Sequence, residues 1–251
     1  MRGVEERGSG PAGPRDGGRQ DPGAPGRPGT RASLSPALLR ALVPALWQAL
    51  PWRVPAAAGG WGLVLLGAVR WAGWTPGEGE AAVLLRCVAL SGALGLAFLF
   101  DDPARHTTAT TPLGRPLRAG LRLALVAPLV ALWWTAALLL VPGPNHPPLG
   151  PATLEAAAMA AAALALASAA VRFTDAAAVG KATAIRLAAT AAVVVLVPER
   201  WGLSAAPGET WWEATQVRWA VVLGVTAAAT ALCTPEPLRR RSIRLGPSGA
   251  A

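Results

Sequence analysis

Residues 98–117, FLFDDPARHTTATTPLGRPL, hold the densest group of chemically capable side chains in the middle of the chain. Asp101 and Asp102 are adjacent carboxylates, followed by Arg105, His106, four threonines and Arg115. Carboxylates beside a histidine can ligate a cation, and spaced acids in a membrane enzyme can gather Mg²⁺ and a diphosphate. Here the acids are consecutive, and the next acid downstream that would share their face is the single Asp175. A Gly-rich phosphate loop with its Lys, a nucleophile elbow and an HExxH pair are all lacking. No catalytic residue, metal ligand or cofactor is therefore expected. A simpler reading is that the acids close an apolar helix at the water boundary, where Pro103 stops it. Neither acid would then need a partner. The loop reading adds function: Asp101, Asp102, Arg105, Arg115 and Arg118 form a contact surface for a cytoplasmic protein.

Two charges lie inside apolar runs, where burial is costly. Arg86 sits about one and a half turns into one run, and Glu155 lies just inside another. A mutual ion pair is one expectation, and snorkelling of each to the interface is the other. Arg186 is expected to snorkel. No chain of acids crosses the apolar region, so a proton relay is not expected. Ser91 with Gly95, and Gly224 with Ala228, are small pairs four residues apart that would let helices approach closely.

The elements that must position these residues are apolar helices. Of 251 residues, 53% are hydrophobic and only 15% charged, against about 25% in ordinary soluble domains. Cys87 and Cys233 both lie in apolar runs, giving neither a disulfide framework nor metal spacing, and read as buried thiols. Residues 1–33 are Gly-, Pro- and Arg-rich, lack the apolar core of a secretory signal, and are expected to be a disordered cytoplasmic tail. Residues 34–53 are apolar but broken by Arg40, Pro44, Gln48 and Pro51, which suits an amphipathic helix lying at the interface. Six runs of near-spanning length follow, at 54–74, 81–100, 121–142, 153–171, 182–198 and 216–234, ahead of a basic tail over 235–251. The expected fold is all-α: a polytopic integral membrane protein with six transmembrane helices and a preceding interfacial helix.

Charge placement orients this arrangement. With the N-terminus in the cytoplasm, the inner segments carry 19 of the 23 Lys and Arg residues, as the positive-inside rule requires. Both termini would be cytoplasmic and the host a plasma membrane. The net charge of +9 then faces anionic lipid, since the basic residues form no patch interleaved with aromatics that would suit nucleic acid. His106 and His146 fall on opposite faces and cannot share a metal. Trp71, Trp74, Trp201, Trp211, Trp212 and Trp219 fall at the outer boundary as an aromatic belt, while Trp133 and Trp134 are mid-span and are expected to pack.

The arrangement resembles the membrane-spanning permease subunits of ABC-type exporters. Residues 34–52 look like their elbow helix, DDPARHTTATTPLGRPLRAG occupies the place of the loop that touches the ATPase, and ERWGLSAAPGETWWEATQVR (199–218) that of an outer re-entrant segment. The run FDDPARHTTATTPLGRPLRAGLRLAL is also similar to a segment of actinobacterial ABC transporter components. The resemblance implies transport of an unidentified substrate, a separate cytoplasmic ATPase subunit and a homodimer or heterodimer of membrane subunits. Two other readings stand beside it: a membrane anchor or accessory subunit that does not transport, and a membrane-embedded enzyme on a lipid-linked substrate.

Overall fold

The computed structural model describes residues 44, 47, 48, 50–101, 115–141, 147–174, 179–198 and 200–233, with backbone alone for 115–118. These residues form helices α1 (Arg53–Trp71), α2 (Glu78–Leu96), α3 (Arg115–Leu140), α4 (Leu149–Phe173), α5 (Gly180–Leu196) and α6 (Trp212–Cys233), and among them there is no strand. Five, all but the 17-residue α5, are long and apolar enough to cross a membrane. By length and composition the chain is thus a candidate multi-pass membrane protein, and an all-helical one. The segment 34–52 lies largely outside the described residues. Its end is visible: the Trp47 and Trp52 rings meet at a tilt of 43° with centroids 4.3 Å apart, and Leu50 is buried against the bundle.

Local chemistry sets the helix ends. Gly73, at φ +70°, donates its N–H to Arg70 O and closes α1 in the left-handed conformation that glycine adopts without strain. Glu80 Oε2 accepts the N–H of Gly77 at 3.0 Å, so α2 begins three residues before its apolar run. Glu78 and Glu80 also place negative charge at the positive end of the helix. Pro116 and Pro151 fall in the first turns of α3 and α4, where a missing N–H costs nothing. Pro198 follows the end of α5.

Contacts between the helices fix their directions. The C-terminal half of α2 meets the start of α1: a Cβ on Gly95 would lie 2.9 Å from Pro55 Cα. Arg172 near the end of α4 donates to Leu232 O near the end of α6 at 2.7 Å. The N-terminal parts of α2, α4 and α6 meet at the opposite end, around Arg86. Successive helices therefore run up and down. The central pair is α2 and α4, with α1 on α2, α6 along α4, and α3 and α5 at the flanks. One core cluster, at the Arg86 end, joins Leu66, Leu85, Val88, Trp134 and Ala137. The other, toward Asp101, joins Leu50, Leu96, Leu99, Val126, Ala163 and Leu187.

The outward faces are apolar. Trp61, Leu132, Leu139, Val193, Val221 and Leu232 are all exposed, a pattern that water would penalise and hydrocarbon would not. The same geometry corrects the reading of the thiols. Cys87 is exposed and Cys233 half-exposed, because an apolar run in such a bundle has an outward face as well as a buried one. Trp71, Trp74, Trp201 and Trp211 are exposed, whereas Trp219 is buried and bonded and so leaves the expected belt.

Candidate functional site: a clamped loop over a buried ion pair

The two charges singled out inside apolar runs come together. Arg86 enters from α2, about 12 Å along the helix from its start, and Glu155 from the second turn of α4. Arg86 Nε donates to Glu155 Oε2 at 2.7 Å and Nη2 donates to Oε1 at 3.0 Å. This is the two-pronged geometry that suits guanidinium and carboxylate. Their side chains are 14% and 6% exposed, so both charges have left bulk solvent. Gln216 of α6 donates Nε2 to Glu155 Oε1 at 2.9 Å, which ties the third helix into the pair. Snorkelling, the other expectation for these residues, does not occur in this arrangement.

Arg86 has two further bonds, and they hold the chain segment between α5 and α6. Nη1 donates to Ser204 O at 2.7 Å and Nη2 to Ala205 O at 2.8 Å. Arg218, in the second turn of α6, donates to Gly202 O and Arg200 O at 2.8 and 2.7 Å. Trp219 Nε1 donates to Leu203 O at 3.1 Å. Five carbonyls between residues 200 and 205 are thereby satisfied by side chains of α2 and α6. Non-helical backbone away from water needs such partners. The loop then turns through Gly208, at φ +86°, while Glu209 Oε2 accepts the N–H of Ala206. It is a plug seated on the Arg86 end of the bundle. Two more polar atoms of α6, Thr215 Oγ1 and Gln216 Oε1, are buried there without a hydrogen-bond partner among the described residues.

At the other end, Asp101 has a structural task that the sequence reading did not give it. Its Oδ1 accepts the N–H groups of Val179 and Gly180 at 2.9 and 2.7 Å, capping α5 from a different part of the chain. The reading that Asp101 needs no partner is corrected. Residues 97–101 reach this position through tight turns, with Leu99 N–H on Leu96 O and Asp101 N–H on Phe98 O. Gly180 is required for the approach, since a Cβ there would lie 2.5 Å from Phe98 Cδ1 and 2.6 Å from Asp101 Oδ2.

Asp102 and Arg105 lie outside the described residues, as do His106 and His146. Arg115 and Arg118 are in the first turn of α3, and their side chains are likewise outside the description. Arg186 is exposed on α5. Among the described residues no group of three His, Cys, Asp or Glu side chains is placed to hold a metal. Trp133 and Trp134 pack as expected, donating to Gly59 O at 2.9 Å and Thr153 Oγ1 at 3.2 Å. Of the clamp, Arg218 and Gln216 escaped the sequence reading; their spacing of two near the start of an apolar run was the available signal. No family model, curated protein or solved structure matches this chain.

Proposed function

We propose that the chain is the membrane-spanning subunit of an ABC-type transporter in a plasma membrane, moving a substrate on energy from a separate ATPase. In this reading all six helices span, both termini are cytoplasmic, residues 34–52 lie at the interface as an elbow, and two membrane subunits pair. The observation that carries it is the asymmetry of the two ends. The Arg86 end is closed by a non-helical plug clamped by α2 and α6, as expected for the outer face of a permease. The Asp101 end leads into the Arg-bearing segment 102–118, and Asp101 ties that segment's root to α5.

Affinity purification of the detergent-solubilised chain is expected to bring down an ATP-hydrolysing subunit. Arg105→Ala with Arg115→Ala should weaken that capture without unfolding the chain. Asp101→Ala should instead lower thermal stability by about 1–2 kcal/mol, the usual worth of a lost helix cap. Absence of any co-purifying ATPase, together with unstimulated ATP hydrolysis, would reject the reading. Orientation has its own check. Thr75→Cys, in the exposed turn between α1 and α2, should react with an impermeant maleimide added outside intact cells, and Cys233 should not; the reverse pattern inverts the topology.

One observation favours the accessory-subunit reading. A large cavity among the described residues is lined mostly by apolar groups, with Thr135 and Thr153 as its hydroxyls, and offers no continuous polar path across the bundle. In that case the chain would stabilise a complex without conducting a polar substrate, and no transported solute would be found.

A further inference from the structure

The cavity itself has chemistry. It measures about 760 Å³ and lies where α3 stands away from α1, α2 and α4. Ala56, Gly59, Gly60 and Gly92 form its floor, and Val126 and Trp133 form its wall, the Trp133 ring closing onto Gly59 and Gly92. The Trp133 ring covers Gly59 and Gly92, where a Cβ would lie 3.1 and 2.5 Å from it, but Gly60 is uncovered, and a Cβ there would meet nothing within 4 Å. Protein interiors do not retain apolar voids of this size, because unfilled packing costs stability in proportion to volume. Water would not fill it either, since the lining supplies almost no polar partners. The groove is open along one side, where Leu123 and Leu129 are exposed.

Its lining runs along α3 from Leu123 to Leu138, roughly 22 Å at 1.5 Å per residue. That exceeds one leaflet of a hydrocarbon core of about 30 Å. The mouth at the Leu123 end carries a charge. Trp52 lines it, and the exposed Arg53 lies three and seven residues before Ala56 and Gly60, on the same helical stripe. No described acid bonds to Arg53.

We infer that this groove holds one chain of an anionic membrane phospholipid, with the headgroup phosphate at Arg53 and the acyl chain laid against Gly60 and Trp133. The inference rests on the helices being embedded in a bilayer and not on the presence of an ATPase partner. Trp52, whose Nε1 donates to Trp47 O at 2.7 Å, would then stand at headgroup level beside the phosphate.

Titration of the detergent-purified chain with dioleoyl phosphatidylglycerol or dioleoyl phosphatidylcholine, with retained lipid counted by native mass spectrometry, tests this. The anionic lipid should be held about fivefold better, the worth of one basic residue beside an anionic headgroup. Arg53→Gln should erase that preference while leaving the common chain affinity. Gly60→Trp should weaken both lipids roughly tenfold, whereas Gly224→Trp, on an equally open position of α6, should change neither. Because these readouts need only the isolated chain, failure to capture an ATPase leaves them intact. Equal retention of the two lipids by the unaltered chain, or retention unaffected by Gly60→Trp, overturns the inference. So does a dimer that excludes lipid from the groove, which would make a second copy its occupant.

Discussion

Glu155→Ala is expected to destabilise the purified protein by about 3–5 kcal/mol, the usual cost of removing one partner from a buried ion pair. The reason is the charge left behind. Arg86 would keep its bonds to Ser204 O and Ala205 O but lose both carboxylate contacts, in a setting where its side chain is only 14% exposed. Gln216 Nε2 would lose its acceptor as well. Glu155→Gln should fall between, since the amide oxygen still accepts while the compensating charge is gone. The informative comparison is Arg86→Met combined with Glu155→Leu. That pair removes both charges and replaces them with apolar volume, so the helix packing should recover most of the loss. The plug should not recover, because Ser204 O and Ala205 O then lack donors. Reversible unfolding in detergent measures the first effect, and protease sensitivity of residues 200–211 the second. A Glu155→Ala loss below about 1 kcal/mol would mean the pair behaves as an exposed one. A protease-resistant plug in the double variant would show that Arg218 and Trp219 hold it unaided.

This site shows where sequence reasoning has reach and where it stops. The six apolar runs predicted all six described helices, because length and hydropathy are local properties. Their ends moved for equally local reasons. Glu80 draws α2 back to Glu78 by accepting the N–H of Gly77, and α3 starts at Arg115 because a helix tolerates Pro116 in its first turn. Residues 97–100 left the helical run because the chain must turn for Asp101 to reach α5. The meeting of Arg86 with Glu155 was of another kind. It depends on how α2 and α4 are rotated against each other, and periodicity reveals rotation only where one face is polar. In helices apolar all round, the outward and inward faces look alike in sequence. That is also why Cys87 and Trp219 were each assigned to the wrong face.

The small-residue pairs make the same point in a form that can be measured. Ser91 with Gly95 and Gly224 with Ala228 have identical spacing, and nothing in the sequence ranks them. Their surroundings do. A Cβ on Gly95 would lie 2.9 Å from Pro55 Cα and 3.2 Å from Ala58 Cβ, whereas one on Gly224 meets nothing within 4 Å. The obstruction at Gly95 is backbone, so relief requires α1 to move off α2. Gly95→Ala is therefore expected to cost about 1–3 kcal/mol through overpacking, even after the helix-propensity gain. Gly224→Ala should keep that gain, up to about 1 kcal/mol, with no opposing clash. Both substitutions add the same methyl group to a helix interior, so the difference between them, roughly 1–4 kcal/mol, isolates packing from propensity. Thermal unfolding of the two variants side by side reads that difference directly. Equal stabilities would mean that α1 slides freely on α2. Because α1 carries Ala56, Gly59 and Gly60, the groove floor would then not be held in place either. A Gly95→Ala loss with Gly224 indifferent would instead identify the α1–α2 seam as the rigid wall from which α3 stands apart.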